Sequence, residues 1–420
     1  MRRPWANQME GGMHDKELYQ QILGIGKPWF VEAVELDKDR EEIQIKVGLK
    51  GSVVPCCPVC EKAMSGYDSR KRSWRHLDTC QYTTIITADV PRGTCQEHGV
   101  RQIGVPWAER GSQFTALFER LAIDWLTEAS QTAVARRLDL SWREVHGIMK
   151  RAVARGLLRR DFHDLELIGV DEKAFKKGHN YFTLVTNLKE GAVLHVGEER
   201  TTKALEDFYD ALSDEERGEI RAVAMDMWPA YITATENKVP DAKIVFDKFH
   251  VVKHVVDAVD KVRRKENKAL RKQGDDRLVG TKYDWLTNPE RMKNQQKREF
   301  RALRDSSLKT ARAWAIKETL GDLWTYSYGA AARSFFSRWY GWARRSRLEP
   351  VKKAAKTVKN HLNNILTYLK FPITNAMSEG INSKVQWIKY TARGFRNPEN
   401  FKTAILFHCG KLQLYPHQMS

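Results

Sequence analysis

The sequence predicts an α+β protein built from several domains, and three observations carry that expectation. Cysteines and a histidine cluster in paired short spacings between positions 57 and 98; strand-like and helix-like runs alternate from 165 to 247; and a long helical, strongly basic stretch separates them from a last helical segment after Pro372. At 420 residues the chain exceeds one ordinary core, so roughly two to four domains are expected. A hydrophobic content of 42%, with 10% aromatics, is enough to fold them. No run of 18 apolar residues occurs and the N-terminus lacks a signal-peptide pattern, which predicts a soluble, non-exported, cytoplasmic protein without a membrane partner. The first dozen residues, MRRPWANQMEGG, read as a tag or an overextended start before Met13.

Five of the six cysteines lie between positions 56 and 95, a clustering that suggests a metal module rather than a disulfide framework in a chain that is not secreted. Cys57-Pro-Val-Cys60 and Cys95-Gln-Glu-His98 form two knuckles with ligands three positions apart, as tetrahedral zinc requires. Cys56 could stand in for Cys57, and Cys80 for His98, but neither keeps both two-residue gaps. Cys56, Cys80 and Cys409 are read as packed or free thiols. Between the knuckles, Thr83 to Pro91 reads as a strand and Asp68 to His76 (DSRKRSWRH) as a basic hairpin or loop, so the module is a zinc ribbon with one structural Zn²⁺.

From 114 to 160 the spacing turns helical. Gln131 to Leu138 is a short helix, Asp139-Leu140 a turn, and Ser141 an N-cap for WREVHGIMKRAV. Helix, short turn and helix, with Arg143, His146 and Lys150 outward, is the helix-turn-helix pattern, the second helix being the candidate groove reader.

The apolar run LELIGV ends in Asp171, as a buried central strand that projects an acid would. Tyr181 to Leu188 and Ala192 to Arg200 alternate like hairpin-paired strands around a Lys189-Glu-Gly191 turn. A helix over Thr202 to Leu212, a strand RAVAMD ending at Asp226, a helix near Trp228 to Glu236 and a strand KIVFD ending at Asp247 follow. Three strands, helix, strand, helix, strand is the order of the ribonuclease H-like fold, in which acids on the first and fourth strands face each other. Two such carboxylates repel unless Mg²⁺ or Mn²⁺ neutralises them. Glu172, on the opposite face from Asp171, is left out of the site.

Residues 251–370 hold 29 Lys and Arg against 12 Asp and Glu, a net of +17 in a chain whose total is +18. A polyanion, most commonly nucleic acid, is the natural partner of such a field. The stretch is helix-like throughout and reads as an all-α insertion. Its Trp285, Trp314, Trp324 and Trp339 are expected in a buried bundle, and Arg263, Arg264 and Lys265 are expected to hold phosphates. Beyond it, Asn375, Glu379 and Asn382 share one helical face at i, i+4 and i+7.

The blocks GVDEKAFKKGHNYFTLVTNL, AMDMWPAYITA, VFDKFHVVKHV and TNAMSEGINSKVQWIKYTARGFRNPENF resemble those of bacterial insertion-sequence transposases of the ISL-three group, a DDE family. CPVC, RSWRHLD and the helix-turn-helix resemble that group's N-terminal regions, so the likeness runs over roughly residues 14 to 412. It implies Asp171, Asp226 and Glu379, spaced by 55 and 153 residues, as a catalytic triad holding two Mg²⁺ or Mn²⁺, with Asp247, His250, Asn375, Asn382 and Lys384 in support. It implies binding to terminal inverted repeats and target DNA, strand cleavage and strand transfer, a homodimer or higher oligomer on DNA, and a place at the bacterial nucleoid. Cys95-Gln-Glu-His98 departs from the group's more usual second Cys-x-x-Cys. The rival expectation is a non-catalytic DNA-binding protein, a domesticated transposase or repressor, which an intact triad disfavours. A simple nuclease of the same fold would not need separate zinc and helix-turn-helix readers. The expected division is 1–13 unstructured or tag, 14–110 with the zinc ribbon over about 52–103, 111–162 helix-turn-helix, 163–250 with 372–412 catalytic core, 251–371 basic insertion, and 413–420 tail.

Overall fold

The structure, a computed structural model, describes residues 15–51, 53–176, 180–287, 290, 292–373 and 376–417. The chain forms two compact units, one reaching to Arg160 and rejoined by the C-terminal residues from Leu412, the other Asp161–Lys411.

The first unit begins with α1 (Asp15–Ile22), β1 (Trp29–Asp37), β2 (Glu42–Leu49), β3 (Ser65–Thr79), β4 (Tyr82–Cys95) and β5 (Gly99–Gln102). The strands make one sheet in the order β1-β2-β4-β3, with β5 also on β4, and only β2 and β4 run parallel. β1 and β2 alternate apolar and polar residues, placing Val31, Ile43, Ile45 and Val47 in a core with Trp29, Trp74 and Trp107. Trp107 meets Trp29 and Trp74 edge-on at 5.0 and 5.3 Å. The Thr83–Pro91 strand falls within β4. Of the hairpin or loop expected over Asp68–His76, the structure has the hairpin: the segment lies inside the 15-residue β3, antiparallel to β4 with Thr79 paired to Tyr82 at the turn. Its alternation is hidden because the outer part of β3 is solvated on both faces.

Three helices follow, α2 (Ala116–Glu128), α3 (Gln131–Arg137) and α4 (Trp142–Leu158). Thr115, Ser130 and Ser141 cap them, and Ser141 with Glu144 closes a full capping box. Asp139, at φ 51°, turns the chain from α3 into α4. Phe118, Ile123, Leu126, Val134, Val145 and Ile148 are buried.

The second unit contains β6 (Leu167–Lys176), β7 (Asn180–Asn187), β8 (Ala192–Glu198), α5 (Thr202–Asp210), α6 (Asp214–Glu219), β9 (Ala222–Met225), α7 (Pro229–Lys238) and β10 (Lys243–Phe246). Its sheet order is β10-β9-β6-β7-β8. β6, β7 and β8 are antiparallel neighbours, whereas β9 and β10 run parallel to β6. Every residue of β9 is buried, as a central strand covered on both faces demands.

The basic stretch is all helical: α8 (Lys248–Arg271), α9 (Lys282–Leu286), α10 (Asn294–Arg304), α11 (Lys309–Leu320), α12 (Gly329–Arg345), α13 (Glu349–Asn360) and α14 (Leu362–Leu366). Trp285 and Trp339 are buried, and Trp314 and Trp324 pack against the same cluster. That cluster runs without interruption from Ile168 and Val223 on the sheet to Ala355 and Ile365, so these helices share the core of the strands. α15 (Ala376–Thr391) and α16 (Pro398–Cys409) close the unit. Among the described residues no helix is long and apolar enough to cross a membrane.

Candidate active site

The β6–β9 register pairs Leu167 with Ala222, Ile168 with Val223 and Gly169 with Ala224. Continuing it by two residues sets Asp171 level with Asp226, because the offset of 55 is the same. The β10–β9 register pairs Phe246 with Met225, which sets Asp247 level with Asp226 on the other side. Asp226 and Asp247 thus stand just past the carboxyl ends of β9 and β10, where open α/β sheets bind ligands, and Asp171 stands level with them inside β6, which runs on to Lys176 instead of ending at the acid.

Their surroundings differ. Asp226 Oδ1 accepts the Trp228 N–H at 2.9 Å. Burial pushes its carboxyl above the usual range, as does Asp171, against the pull of His250, that N–H and Arg200. Asp247 is committed: Oδ1 accepts the Phe249 N–H at 2.9 Å, and Oδ2 lies 2.7 Å from His250 Nδ1. That bond, helped by the charges of Asp247, Asp226 and Asp171, holds His250 above its ordinary pKa despite its burial.

α15 supplies the other side. Asn382 Nδ2 donates to Asp171 Oδ2, and Lys389 Nζ donates to the Ala174 carbonyl at 2.8 Å, so the helix lies along β6. Glu379 is exposed one turn before Asn382, on the same face. The structure therefore brings together Asp171, Asp226, Asp247, His250 and Asn382, with Glu379 on the helix that carries Asn382. Asn375 lies outside the described residues. Lys384 departs from its expected place: it is exposed, and its charge acts on His408 and Cys409 of α16. Two positions from Asn382 on a helix is about 200°, so the two side chains diverge.

Two charged residues near the acids escaped the sequence reading. Glu172 does face away from Asp171, toward α7, yet it senses the charges of Asp171 and Asp226; burial raises its carboxyl, against the pull of Arg200. It forms an ion pair with Arg200. The Arg200 guanidinium lies 3.6 Å from the Trp228 ring centroid, whose Nε1 donates to the Arg200 carbonyl at 3.0 Å. An acid immediately after Asp171 was the available signal; its cation, 28 residues downstream, had none.

In the first unit, Cys57, Cys60, Cys95 and His98 place their ligand atoms within 4.8 Å of one another. Cys60 and Cys95 Sγ are 3.6 Å apart, and His98 Nδ1 lies 3.8 Å from Cys57 Sγ and 3.6 Å from Cys95 Sγ. Tetrahedral zinc at ordinary bond lengths has ligand-to-ligand distances of about 3.3–3.8 Å, so the set fits. Burial would raise the Cys57 thiol, but hydrogen bonds from the Cys60 and Val59 amides and from the Cys60 and Cys95 thiols bring it to about 6. Cys56 and Cys80 are exposed and Cys409 is buried, all three as free thiols.

On α4, Arg143 and Lys150 are exposed, and the half-buried His146 stacks on Trp142 at 4.8 Å. The expected phosphate holders of α8 divide. Arg264 and Lys265 are exposed, whereas Arg263 is buried and bonded to Asp260, so it belongs to the packing of α8 and not to a phosphate-binding surface. Arg264 also reaches Asp260, at 3.0 Å.

Comparison with known proteins gives the same order of parts. Residues 54–98 match the zinc-finger of the transposases IS204/IS1001/IS1096/IS1165, residues 105–153 the helix-turn-helix domain of transposase family ISL3, and residues 168–405 the ISL3-type DDE transposase family. The class these parts define is an insertion-sequence transposase with its own DNA-binding domain, and the chain belongs to the ISL3 family. It is similar to the transposase for insertion sequence element IS1557 of Mycobacterium tuberculosis (strain H37Rv), 28% identical over 420 residues, spanning 92% of this chain and 94% of the relative. It is also similar to the transposase for IS1001 of Bordetella parapertussis, 27% identical over 394 residues, spanning 93% and 97%.

Proposed function

We propose that this transposase binds the terminal inverted repeats of its element through the zinc ribbon and helix-turn-helix, cleaves the strand at the repeat end, and joins the freed 3′-hydroxyl to target DNA. We read the second unit as a ribonuclease H-like core, on its strand order and directions, with Asp171, Asp226 and Glu379 holding two Mg²⁺ or Mn²⁺. The observation that carries this reading is the register that sets Asp171 level with Asp226, together with the bond from Asn382 that fastens the Glu379 helix to β6.

When bound, the ions would polarise the scissile phosphate and favour the deprotonated form of the attacking water or 3′-hydroxyl. The chain's own residues prepare the place. Asp171 inside β6 and Asp226 just past the end of β9 present carboxylates from rigid strands; Asn382 donates to Asp171; and Asp247, through its bond to His250, favours the protonated imidazole beside acids that would otherwise repel one another. Zinc at Cys57, Cys60, Cys95 and His98 would be structural, since all four positions are filled by protein. The protein would act as a homodimer or larger assembly on nucleoid DNA.

The test is strand cleavage of duplexes ending in the element's own repeat. Cleavage is expected with Mg²⁺ or Mn²⁺ and not with Ca²⁺ or when the zinc-loaded protein is given no other divalent cation, while binding persists in all four conditions. Asp226→Asn and Glu379→Gln should abolish cleavage and leave binding near wild type. Undiminished cleavage with no other divalent cation would overturn the two-ion reading, and binding without cleavage under every condition would leave a repressor-like DNA-binding protein.

A further inference from the structure

β3 is an edge strand of its sheet, and its outer part carries three consecutive cations, Arg70, Lys71 and Arg72. Three other cations of the sheet are paired, Arg92 with Asp68, Arg75 with Asp78 and Lys46 with Glu32. Among the described residues, Arg70, Lys71 and Arg72 have no carboxylate within ion-pair distance. Lys71 stands across from Asp89 in the β3–β4 register without closing a pair, and Asp89 acts on Lys46 instead.

These cations border a groove of about 470 Å³ whose far wall is Asp139 and Leu140 of the α3–α4 turn and Glu144 of α4. Glu144 is held by the Ser141 amide and hydroxyl, so that wall is the entry of α4 itself. The two walls are fixed to each other by backbone. Arg75 N–H donates to the Gln113 carbonyl at 2.9 Å, Thr115 N–H donates to the Arg75 carbonyl at 3.0 Å, and His76 Nδ1 lies 2.9 Å from Thr115 Oγ1. Three residues of strand, about 10 Å, separate that tie from Arg72.

We propose that Arg70, Lys71 and Arg72 form a phosphate rail: they hold the sugar-phosphate backbone of the same duplex whose major groove receives α4. This rests on the reading of α4 as the repeat-binding helix. A helix that enters a groove about 12 Å wide has a phosphate strand along each rim, and a cationic edge one groove away meets such a rim. Contacts of this kind set affinity and register without reading sequence. The zinc ribbon therefore serves as the holder that presents β3, and discrimination between sequences resides in α4.

The experiment uses the full, zinc-loaded chain and electrophoretic shifts at several NaCl concentrations, on the repeat duplex and on a scrambled duplex. For Arg70→Gln/Lys71→Gln/Arg72→Gln, the slope of log affinity against log salt should fall by about 2–3, at roughly 0.9 per lost phosphate contact. Affinity should drop by the same factor for both duplexes, and a backbone patch of the hydroxyl-radical footprint should disappear. Arg70→Lys/Arg72→Lys should retain the wild-type slope, because charge alone is required. Arg143→Ala should instead lose the preference for the repeat. An unchanged slope and footprint, in a triple variant with wild-type zinc content and melting, would overturn the rail. So would a variant that binds normally but self-associates, since the charges would then only guard the sheet edge. If the triple variant fails to fold, Arg70→Gln and Lys71→Gln singly carry the same test at about one unit of slope each. Absence of repeat preference in the wild type would sink the reading of α4, while the slope on scrambled DNA would still decide the rail.

Discussion

Asp226 and Asp247 leave adjacent parallel strands at the same level, yet their commitments assign them different work. Both Asp247 oxygens are engaged, by the Phe249 amide and by His250, so the residue acts through the imidazole it holds. Asp247→Asn should lower repeat-end cleavage about 10- to 100-fold, the usual cost of losing a supporting partner, whereas Asp226→Asn should leave none. Cleavage rates at saturating Mg²⁺ measure both, and complete loss at Asp247 would make it a metal-binding acid. Asp171 and Asp226 were legible as sequence because each follows an apolar run that must be buried, although only β9 stops at its acid while β6 runs on to Lys176. Arg200 and Arg263 were not. A guanidinium looks the same in sequence whether it meets solvent or Glu172 or Asp260, and only the fold decides which.

At the scale of elements, caps and knuckles were readable because their chemistry is local: Ser141 closes a capping box on Glu144, and the two knuckles converge. β3 was readable only as one of two alternatives, hairpin or loop, since a strand solvated on both faces shows no alternation. Its anchor gives a pH dependence. His76 is buried against Thr115, and burial lowers its pKa to about 4, from about 6.5 in an unfolded chain. The unfolded state therefore binds more protons between these values. The neutral imidazole contributes stability that is fully present above about pH 6.5 and is lost as pH falls toward 4, on the order of 3 kcal/mol in all. His76→Gln, which keeps a hydrogen-bonding side chain, should be less stable at pH 7 but lose less between pH 7 and 5. Urea unfolding of both proteins separates this effect from acid release of zinc, which they share. Parallel losses would remove His76 as its source.

The whole chain shows what local patterns could not. The 413–420 segment reads as a tail, yet its described residues complete the first unit. Arg155 joins Glu109 and Glu119 and donates to the Leu414 carbonyl, Arg159 donates to the Tyr415 carbonyl at 2.6 Å, and Tyr415 Oη donates to Asp124 at 2.6 Å. Leu414 is buried. A Cβ on Gly156 would lie 2.6 Å from Leu412 Cβ, so α4 lacks a side chain where this segment passes. Truncation after Lys411 should therefore destabilise the first unit. The lost burial of Leu414 alone is worth about 1.5–3 kcal/mol, or a fall of several degrees in its melting temperature, and the uncovered Arg155 cluster adds to it. The second unit ends at Lys411 and should melt as before. Calorimetry should show one transition lowered and one unmoved, with Gly156→Ala shifting the same transition in the same direction. Two transitions that fall together, or neither moving, would mean that residues 412–417 do not stabilise the first unit on their own account.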